Sequence, residues 1–415
     1  MRQKLKTQID QLKAKGVTYA DVRWYPREDQ NFFVMHNGNL KALNASSESG
    51  AGVRVLYKGA WGFSASSDLA DLDTLFDKAL DNARIASERV TFPIRLAEKD
   101  AIQDSFSSPN KINPFDIPLE EKVDFLKRVD QAMNQPGVMQ RVSFFRFDNR
   151  QQVYIDSEGS EIEKNIINVF TQIRVMGMDK DGGMQSRAYL PGRTGMTRGW
   201  ESLEEADFMG NAERIVKELN QLLVAPDCPK DKMSVILMPD IMFLQVHETI
   251  GHPLELDRIL GYELSFAGGS FVRLEDFGKL RYGSEKLTAR ANALEPNTPG
   301  SFGYDDDGVP AQDNLLIDKG ILVGAITGRQ MVEEANAKAK KHIFEGNINI
   351  DPGTDGSLED IIANTEYGLV LNGDKSWSIG SNREQFHFAC EIGWLVEDGQ
   401  KKQVVKNPTY RGETL

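Results

Sequence analysis

Two histidines and one glutamate fall within six consecutive residues, His247-Glu248-Thr249-Ile250-Gly251-His252. Neutral imidazole nitrogens bind zinc, and a neighbouring carboxylate can take a proton from the water that the metal activates. These residue types indicate a hydrolytic zinc site, with His247 and His252 as metal ligands and Glu248 as the general base. The alternative interpretation is that both histidines are ordinary core or surface residues and that Glu248 only decorates a helix end.

The spacing of the two histidines requires an unusual backbone. The common zinc helix places its histidines four residues apart, but here they are five apart. On an ideal α-helix, at about 100° per residue, His247 and His252 would diverge by about 140°. A π-type turn, with about 4.4 residues per turn, reduces that divergence to roughly 50°. We therefore predict a wide turn between Glu248 and His252, with a broken i to i−4 hydrogen-bond ladder, which Gly251 would permit.

The elements that position this segment follow from the hydrophobic pattern. An apolar strand is predicted at residues 234–238, followed by a helix that begins near Ile241 and leads into the histidines. A stretch rich in Gly, Asp and Pro, residues 265–312, is expected to be a long loop, and strands are predicted at 314–317, 321–326, 367–371 and 386–396. The metal site is thus expected within a region rich in strands.

The first half of the chain alternates helix and strand patterns. Helices are predicted at residues 2–15, 69–88, 119–133 and 203–223, and strands at 20–25, 31–36, 52–57, 142–147, 152–155 and 161–176. Turn signals at Asn37-Gly38 and Lys58-Gly59 favour hairpins of an antiparallel sheet. Prolines make residues 92–118 a connector. The turn-rich residues 225–229 divide an N-terminal domain, 1–228, from a C-terminal domain, 229–415.

Composition limits the class of protein. The chain has 415 residues, a globular balance of apolar and charged residues, and a net charge of −13, which disfavours binding to a phosphate backbone. No apolar run is long enough to span a membrane, and the polar N-terminus lacks the apolar stretch of a secretory signal. The two cysteines cannot build a disulfide framework. We expect a cytoplasmic protein that binds no nucleic acid and no membrane.

Residues 247–255, which read His-Glu-Thr-Ile-Gly-His-Pro-Leu-Glu, resemble the metallopeptidase motif of the TldD/PmbA family, once described as modulators of DNA gyrase. Other stretches resemble the same family in the same order. They are residues 37–40, 46–50, 52–56, 59–63, 156–159, 304–310, 318–324, 327–330 and 407–412. The resemblance covers nearly the whole chain, and the ordered set is specific.

The resemblance implies a zinc-dependent peptidase of the TldD type, which carries the motif that the PmbA type lacks. His247 and His252 would be zinc ligands and Glu248 the general base. It implies an α+β fold: an N-terminal two-layer α/β domain with an antiparallel sheet, and a C-terminal domain dominated by antiparallel β-sheet around the metal site. It also implies pairing with a PmbA-like subunit or as a homodimer, and unfolded or small peptide substrates.

One departure concerns the third zinc ligand. In the family this ligand is a cysteine in a glycine-rich segment near the C-terminus, and no such segment occurs before Leu415. Either the C-terminal domain is truncated or another residue serves, and Cys390 is the candidate, although a cysteine in a strand is more often a small buried hydrophobe. Glu255 and Asp257 are expected to orient the ligating imidazoles.

Other interpretations stay open at this point. The chain could be a non-catalytic partner or scaffold subunit of a TldD/PmbA-type complex, an alternative that gains weight from the absent C-terminal segment. It could also be a modulator of DNA topology, which the acidic balance disfavours. His36, His342 and His387 have no partner of metal-binding type at useful spacing and are treated as ordinary residues.

Overall fold

The computed structural model describes residues 1–70, 72–192, 195–336 and 347–415. His342 lies outside these ranges. The chain has a mixed α+β fold in which antiparallel sheets dominate, as the sequence predicts. Across the described ranges, no helix combines the length and the apolar character needed to cross a membrane.

The α-helices are amphipathic or packed on one side against sheets. They are α1 (Arg2–Ala14), α2 (Leu72–Ser87), α3 (Leu119–Ala132), α4 (Glu201–Glu205), α5 (Phe208–Leu222), α6 (Pro239–Val246), α7 (Leu256–Leu260), α8 (Arg329–Asn336) and α9 (Leu358–Ala363).

The strands fall into three sheets. They are β1 (Tyr19–His36), β2 (Asn39–Tyr57), β3 (Ala60–Ser66), β4 (Gln103–Ser107), β5 (Gln140–Asp156), β6 (Glu161–Met178), β7 (Met184–Tyr189), β8 (Ser234–Leu237), β9 (Ala289–Asn292), β10 (Asp313–Asp318), β11 (Ile321–Leu322), β12 (Asn347–Ile350), β13 (Tyr367–Ile379), β14 (Gln385–Glu397), β15 (Gln400–Val405) and β16 (Thr409–Glu413).

A seven-stranded sheet fills the first half of the chain, in the order β3-β2-β1-β5-β6-β4, with β7 also paired to β6. Side chains alternate across a strand, so Phe145, Phe147, Val153 and Ile155 of β5 face the same side. The first two pack with α3 and α5, and the last two pack with α1 and α2. The helices therefore cover one face of the sheet, as a two-layer domain requires.

Two smaller sheets follow. A four-stranded antiparallel sheet has the order β11-β10-β9-β12, so β12 lies at one edge. A five-stranded sheet has the order β15-β14-β13-β8, with β16 also paired to β14, and only β8 runs parallel to its neighbour. Helix α6 packs Ile241 and Leu244 against the five-stranded sheet. The residues after α6, among them Ile250, pack against the four-stranded sheet.

The structure differs from the predicted elements in several places. The connector at residues 92–118 contains β4, which pairs with β6 in parallel register. The helix predicted at 203–223 is interrupted at Asp207, whose φ of 42° is left-handed and whose side chain caps α5 by accepting from the Gly210 amide. The loop predicted at 265–312 contains β9. The seven-stranded sheet lies before residue 228 and the other two sheets after it, and the domain boundary there stays a prediction.

Candidate metal centre

The predicted wide turn is present. Helix α6 begins with Pro239, whose fixed φ suits a first helical position, and it runs directly into a π-helical turn at His247–Gly251. The amide of His252 donates to the carbonyl of His247, five residues back, in place of the i−4 carbonyl of Glu248. The broken i to i−4 ladder inferred from the histidine spacing is therefore confirmed.

The π-turn brings the two imidazoles to the same side. The ring centroids of His247 and His252 lie 4.3 Å apart with an angle of 70° between the planes. One ligand atom from each of His247, Glu248 and His252 lies within 4.8 Å of the others. On an ideal α-helix the rings would have pointed in widely different directions.

Gly251 lies within the π-turn, but the turn does not require the conformational freedom of a glycine there. Gly251 has φ −56° and ψ −75°, which any residue can adopt. A Cβ added there would meet its nearest neighbour, Cδ1 of Ile348, at 3.6 Å, an ordinary contact. Contacts with neighbouring residues, and not a glycine conformation, therefore hold the backbone of the π-turn.

Two hydroxyl groups fix the backbone of the turn. The buried Tyr282 hydroxyl donates to the carbonyl of Thr249 at 2.6 Å. The Thr249 hydroxyl donates to the carbonyl of Gln245 at 2.7 Å, and Gln245 in turn accepts from the hydroxyl of Tyr410. Because a wide turn leaves carbonyls without helical partners, such donors offset part of its cost.

His252 is oriented by an acidic side chain. Nδ1 of His252 lies 2.8 Å from Oε1 of Glu255, and the other oxygen of Glu255 accepts from Nε of Arg258. Desolvation alone would raise the pKa of Glu255, but the hydrogen bonds from His252 and Arg258 outweigh it and the net pKa is lowered. An ionised Glu255 favours the tautomer of His252 with its proton on Nδ1 and Nε2 free for a metal.

Asp257 does not share this arrangement. Its carboxylate accepts from the backbone amide of Arg258, and burial raises its pKa. Among the described contacts, none joins Asp257 to His247 or His252. The sequence-based expectation for Glu255 matches the geometry, and that for Asp257 does not.

Glu248 is buried and ion-paired with an arginine that sequence reasoning missed. Nη1 of Arg383 donates to Oε2 of Glu248 at 3.1 Å. Arg383 lies in the turn between β13 and β14, where its φ of 68° is left-handed. Its Nη2 donates to the carbonyl of Ala267 at 2.8 Å, and Nη1 of Arg258 donates to the same carbonyl at 2.6 Å. One carbonyl therefore fixes the arginines that hold Glu248 and Glu255.

His247 is exposed and lines a cavity, and its ring stacks on Phe243 at a centroid distance of 5.9 Å. Desolvation, and then the nearby His252, lower the pKa of His247. A lowered pKa favours the neutral imidazole, the form that binds metals.

Cys390 lies elsewhere. It is fully buried in β14, in a hydrophobic cluster with Ile241, Leu244 and Phe388, and burial raises the pKa of its thiol to about 12. Within the described part of the chain, its sulfur does not join the ligand atoms of the two histidines.

Of the other histidines in the described ranges, His36 lies in β1 and His387 in β14. Neither joins a group of potential metal ligands there. Among the described residues, His247, Glu248 and His252 (the HEH group) form the one group of three potential ligand side chains, and two imidazoles beside a carboxylate match two ligands and the neighbouring base of a hydrolytic zinc site. The residues present therefore fit a zinc ion.

Three family models cover most of the chain. Residues 20–83 match the PmbA/TldA metallopeptidase domain 1, residues 112–225 match its central domain, and residues 230–415 match its C-terminal domain.

Whole-length relatives are named as metalloproteases. A metalloprotease of Methanocaldococcus jannaschii is 28% identical over 409 residues, which cover 96% of this chain and 87% of the relative. A zinc metalloprotease TldD homolog of Saccharolobus solfataricus is 25% identical over 418 residues, with 96% and 87% covered.

Solved structures share the fold. A Thermotoga maritima protein described as a candidate modulator of a DNA gyrase superposes with a TM-score of 0.80 at 16% identity, covering 100% of this chain and 92% of the other. TldE from Thermococcus kodakarensis superposes with a TM-score of 0.69 at 16% identity, covering 99% and 91%.

Proposed function

Because the chain belongs to the TldD/PmbA family of metallopeptidases, we propose that it is a zinc-dependent peptidase that cleaves unfolded or small peptide substrates. The observation that carries the proposal is the HEH group, whose ligand atoms lie within 4.8 Å of one another across a π-turn. The names of the metalloprotease relatives support the same reaction class.

In this proposal His247 and His252 hold one zinc ion, and Glu255 keeps His252 in the metal-binding tautomer through Nδ1. When bound, zinc supplies a Lewis acid that polarises a water molecule and the scissile carbonyl. The third protein ligand is not assigned to Cys390, because that thiol lies in the hydrophobic cluster of β14.

Glu248 acts as the general base. Arg383 binds Oε2 of Glu248, and Oε1 is the oxygen that we assign to proton transfer. It takes a proton from the attacking water and then passes it to the amine that leaves, so that one carboxylate serves as base and acid in turn. The hydrogen bond from Arg383 to Oε2 holds the buried side chain in one orientation before and after Oε1 takes the proton.

An extended peptide has a backbone partner beside this group. Among the described strands, β12 lies at one edge of the four-stranded sheet, and its residues line the same cavity as His247. An edge strand offers unpaired amides and carbonyls to an added strand. Pairing through the backbone would give weak sequence preference, which suits a peptidase for unfolded chains.

The proposal includes a paired assembly and a cytoplasmic location. One structural neighbour is named TldE, and this similarity supports pairing with a PmbA-like partner subunit. A homodimer is the other arrangement. Cys228 and Cys390 are both free thiols, as in a reducing compartment.

The Glu248→Gln variant tests the proposal. It removes the proton acceptor while leaving both imidazoles, so we expect zinc content to stay at the wild-type level and hydrolysis of an unfolded protein to fall by at least about 100-fold. Turnover at the wild-type rate in Glu248→Gln would remove Glu248 from the reaction. Zinc-loaded wild-type protein with no hydrolysis would favour the non-catalytic scaffold subunit.

A further inference from the structure

We propose that the cavity beside His247 is a side-chain subsite that selects peptides with a large apolar residue next to the cleaved bond. This inference rests on the proposed peptidase function and adds a substrate preference to it. It concerns side chains, whereas pairing with an edge strand concerns only the backbone.

The cavity has a volume of about 600 Å³ and a mainly apolar wall. This size falls in the range of sites that enclose small ligands. The apolar residues of the wall are Leu237, Pro239, Met242, Phe243, Val246, Pro299, Ile348 and Ile350. Moving a leucine, methionine or phenylalanine side chain from water onto such a wall lowers the free energy of the complex.

The cavity is continuous with the HEH group. His247 is itself part of the wall, and Phe243, whose ring stacks on His247, is another part. A side chain in the cavity therefore lies against the imidazole that would bind the ion. The peptide unit that carries this side chain is then among those nearest to the reacting centre.

Strand β12 provides the register for such a substrate. Ile348 and Ile350 are two residues apart on this edge strand, and both line the cavity. A peptide paired along the strand presents every second side chain to the same face, at a spacing of roughly 6.6 Å. One such side chain can therefore lie beside His247 while the next one on that face lies farther along the strand.

Among the described residues of the wall, the carboxylate of Glu295 disfavours an acidic substrate side chain. Glu295 lines the cavity and accepts from Nδ2 of Asn349 at 3.3 Å. The described residues of the wall include no lysine or arginine that would pair with a substrate carboxylate. An aspartate next to the cleaved bond would meet a like charge and an apolar surface, and both disfavour it.

Cleavage of designed peptides tests the preference. The substrates are alanine- and serine-rich peptides that carry one leucine at a varied position, with matched peptides that carry alanine or aspartate instead, and the cut bond is located by mass spectrometry. We expect cuts next to the leucine and a value of kcat/KM at least about 10-fold higher than for alanine, with aspartate lowest.

A variant that fills the cavity links the preference to this wall. Met242 is 38% exposed on α6, so Met242→Trp should fold and occupy the space. The preference for leucine over alanine should fall below about 3-fold in this variant. Ile85→Trp is the matched control, because Ile85 is also an exposed aliphatic residue, at 62%, but lies on α2 and not in the wall.

Binding separates this inference from the proposed reaction. The leucine, alanine and aspartate peptides are titrated into Glu248→Gln protein and into the double variant with Met242→Trp, with fluorescence anisotropy as the readout. Binding that prefers leucine and is lost with Met242→Trp supports the subsite. If the wild type shows this binding but cleaves no peptide, the proposed reaction is overturned and the subsite is not.

Other outcomes overturn the subsite. Cleavage without a preference for leucine leaves the proposed reaction standing and removes the subsite. If the peptides are neither cleaved nor bound, both the proposed reaction and the subsite are overturned. A change in the oligomeric mass of Met242→Trp with an unchanged preference would mean that a second copy of the chain covers the cavity.

Discussion

The residues around the HEH group divide into those that would bind an ion and those that hold the binders. Glu255 fixes His252, and Arg383 fixes Glu248. The carbonyl of Ala267 accepts from Arg383 and from Arg258, the arginine that binds Glu255. Burial of a carboxylate is costly unless it is paired, and Glu248 and Glu255 each have a guanidinium partner. The result is a set of side chains held in place before any ion arrives.

The Glu255→Ala variant should weaken zinc binding by about 10- to 100-fold, because the partner that sets the tautomer of His252 is lost. Isothermal titration with zinc measures the change. Asp257→Asn is the matched control, since Asp257 contacts a backbone amide, and its affinity should equal that of the wild type. Equal affinities for both variants would contradict the role assigned to Glu255.

Sequence reasoning identified His247, Glu248, His252 and Glu255 because they are neighbours along the chain. It missed Arg383, which is 135 residues from Glu248 in sequence and reaches it only through the turn between β13 and β14. It offered Cys390 as a substitute ligand but favoured a small buried hydrophobe at that strand position, and the thiol lies in a hydrophobic core.

At the scale of elements, the π-turn follows from the spacing of its histidines and from packing on both sides. Helix α6 packs on the five-stranded sheet and the turn packs on the four-stranded sheet, and Tyr282 supplies a donor to the turn. The wide turn lets the chain pass from one sheet to the other while both imidazoles stay on the same side.

Gly251→Ala should therefore be tolerated. The backbone at Gly251 is right-handed and an added Cβ has room, so we expect unchanged zinc binding and a free energy of unfolding that is unchanged or raised by up to about 1 kcal/mol. Urea denaturation and zinc titration measure the two quantities.

Gly268→Ala is the contrasting variant. Gly268 has φ +82°, and a Cβ there would lie 2.2 Å from the carbonyl oxygen of Ser381, so this variant should unfold at lower urea concentration than the wild type. Loss of zinc binding in Gly251→Ala would mean that the turn needs glycine after all.

Hydrophobic periodicity predicted the existence of most elements but not their extent. Predicted strands at 20–25 and 31–36 are one strand, β1, whose polar middle is held by pairing with β2 and β5 around bulges. Strand β13 continues to Ile379 through exposed polar residues. Residues 375–378 are exposed on both faces of the strand, so they show no alternating pattern, and only their neighbours in the sheet fix them.

At the scale of the whole molecule, many of the family-like stretches join the sheets. Oδ1 of Asp307 accepts from Arg54 of β2 at 2.6 Å, and the backbone carbonyl of Asp307 accepts from the Tyr154 hydroxyl at 3.0 Å. Arg329 donates to Glu158 at 2.9 Å. Through these hydrogen bonds, the first half of the chain packs against the half that carries the HEH group.

A second contact between the halves is fully buried. Arg187 of β7 donates to Glu391 of β14 at 2.8 Å, and its side chain is 0% exposed. Removing one partner of a buried ion pair leaves the other charge without compensation. Arg174 also contacts Glu391, which limits the loss.

Arg187→Met should lower the free energy of unfolding by about 3 kcal/mol. The control is Lys286→Met, whose pair with Asp355 is exposed at 70% and 57% and whose loss should cost less than about 1 kcal/mol. Urea denaturation followed by circular dichroism measures both. Equal losses in the two variants would contradict the buried pair's role in docking the halves.

The zinc content of the purified chain tests the central claim most directly: that His247 and His252 share one ion across the π-turn. The wild type, His247→Ala and His252→Ala are each incubated with excess zinc, and gel filtration then removes the unbound metal. Mass spectrometry measures the zinc bound per chain. We predict about one zinc per wild-type chain and a near-complete loss in each variant. Zinc retained in both variants, or absent from the wild type, would contradict the account.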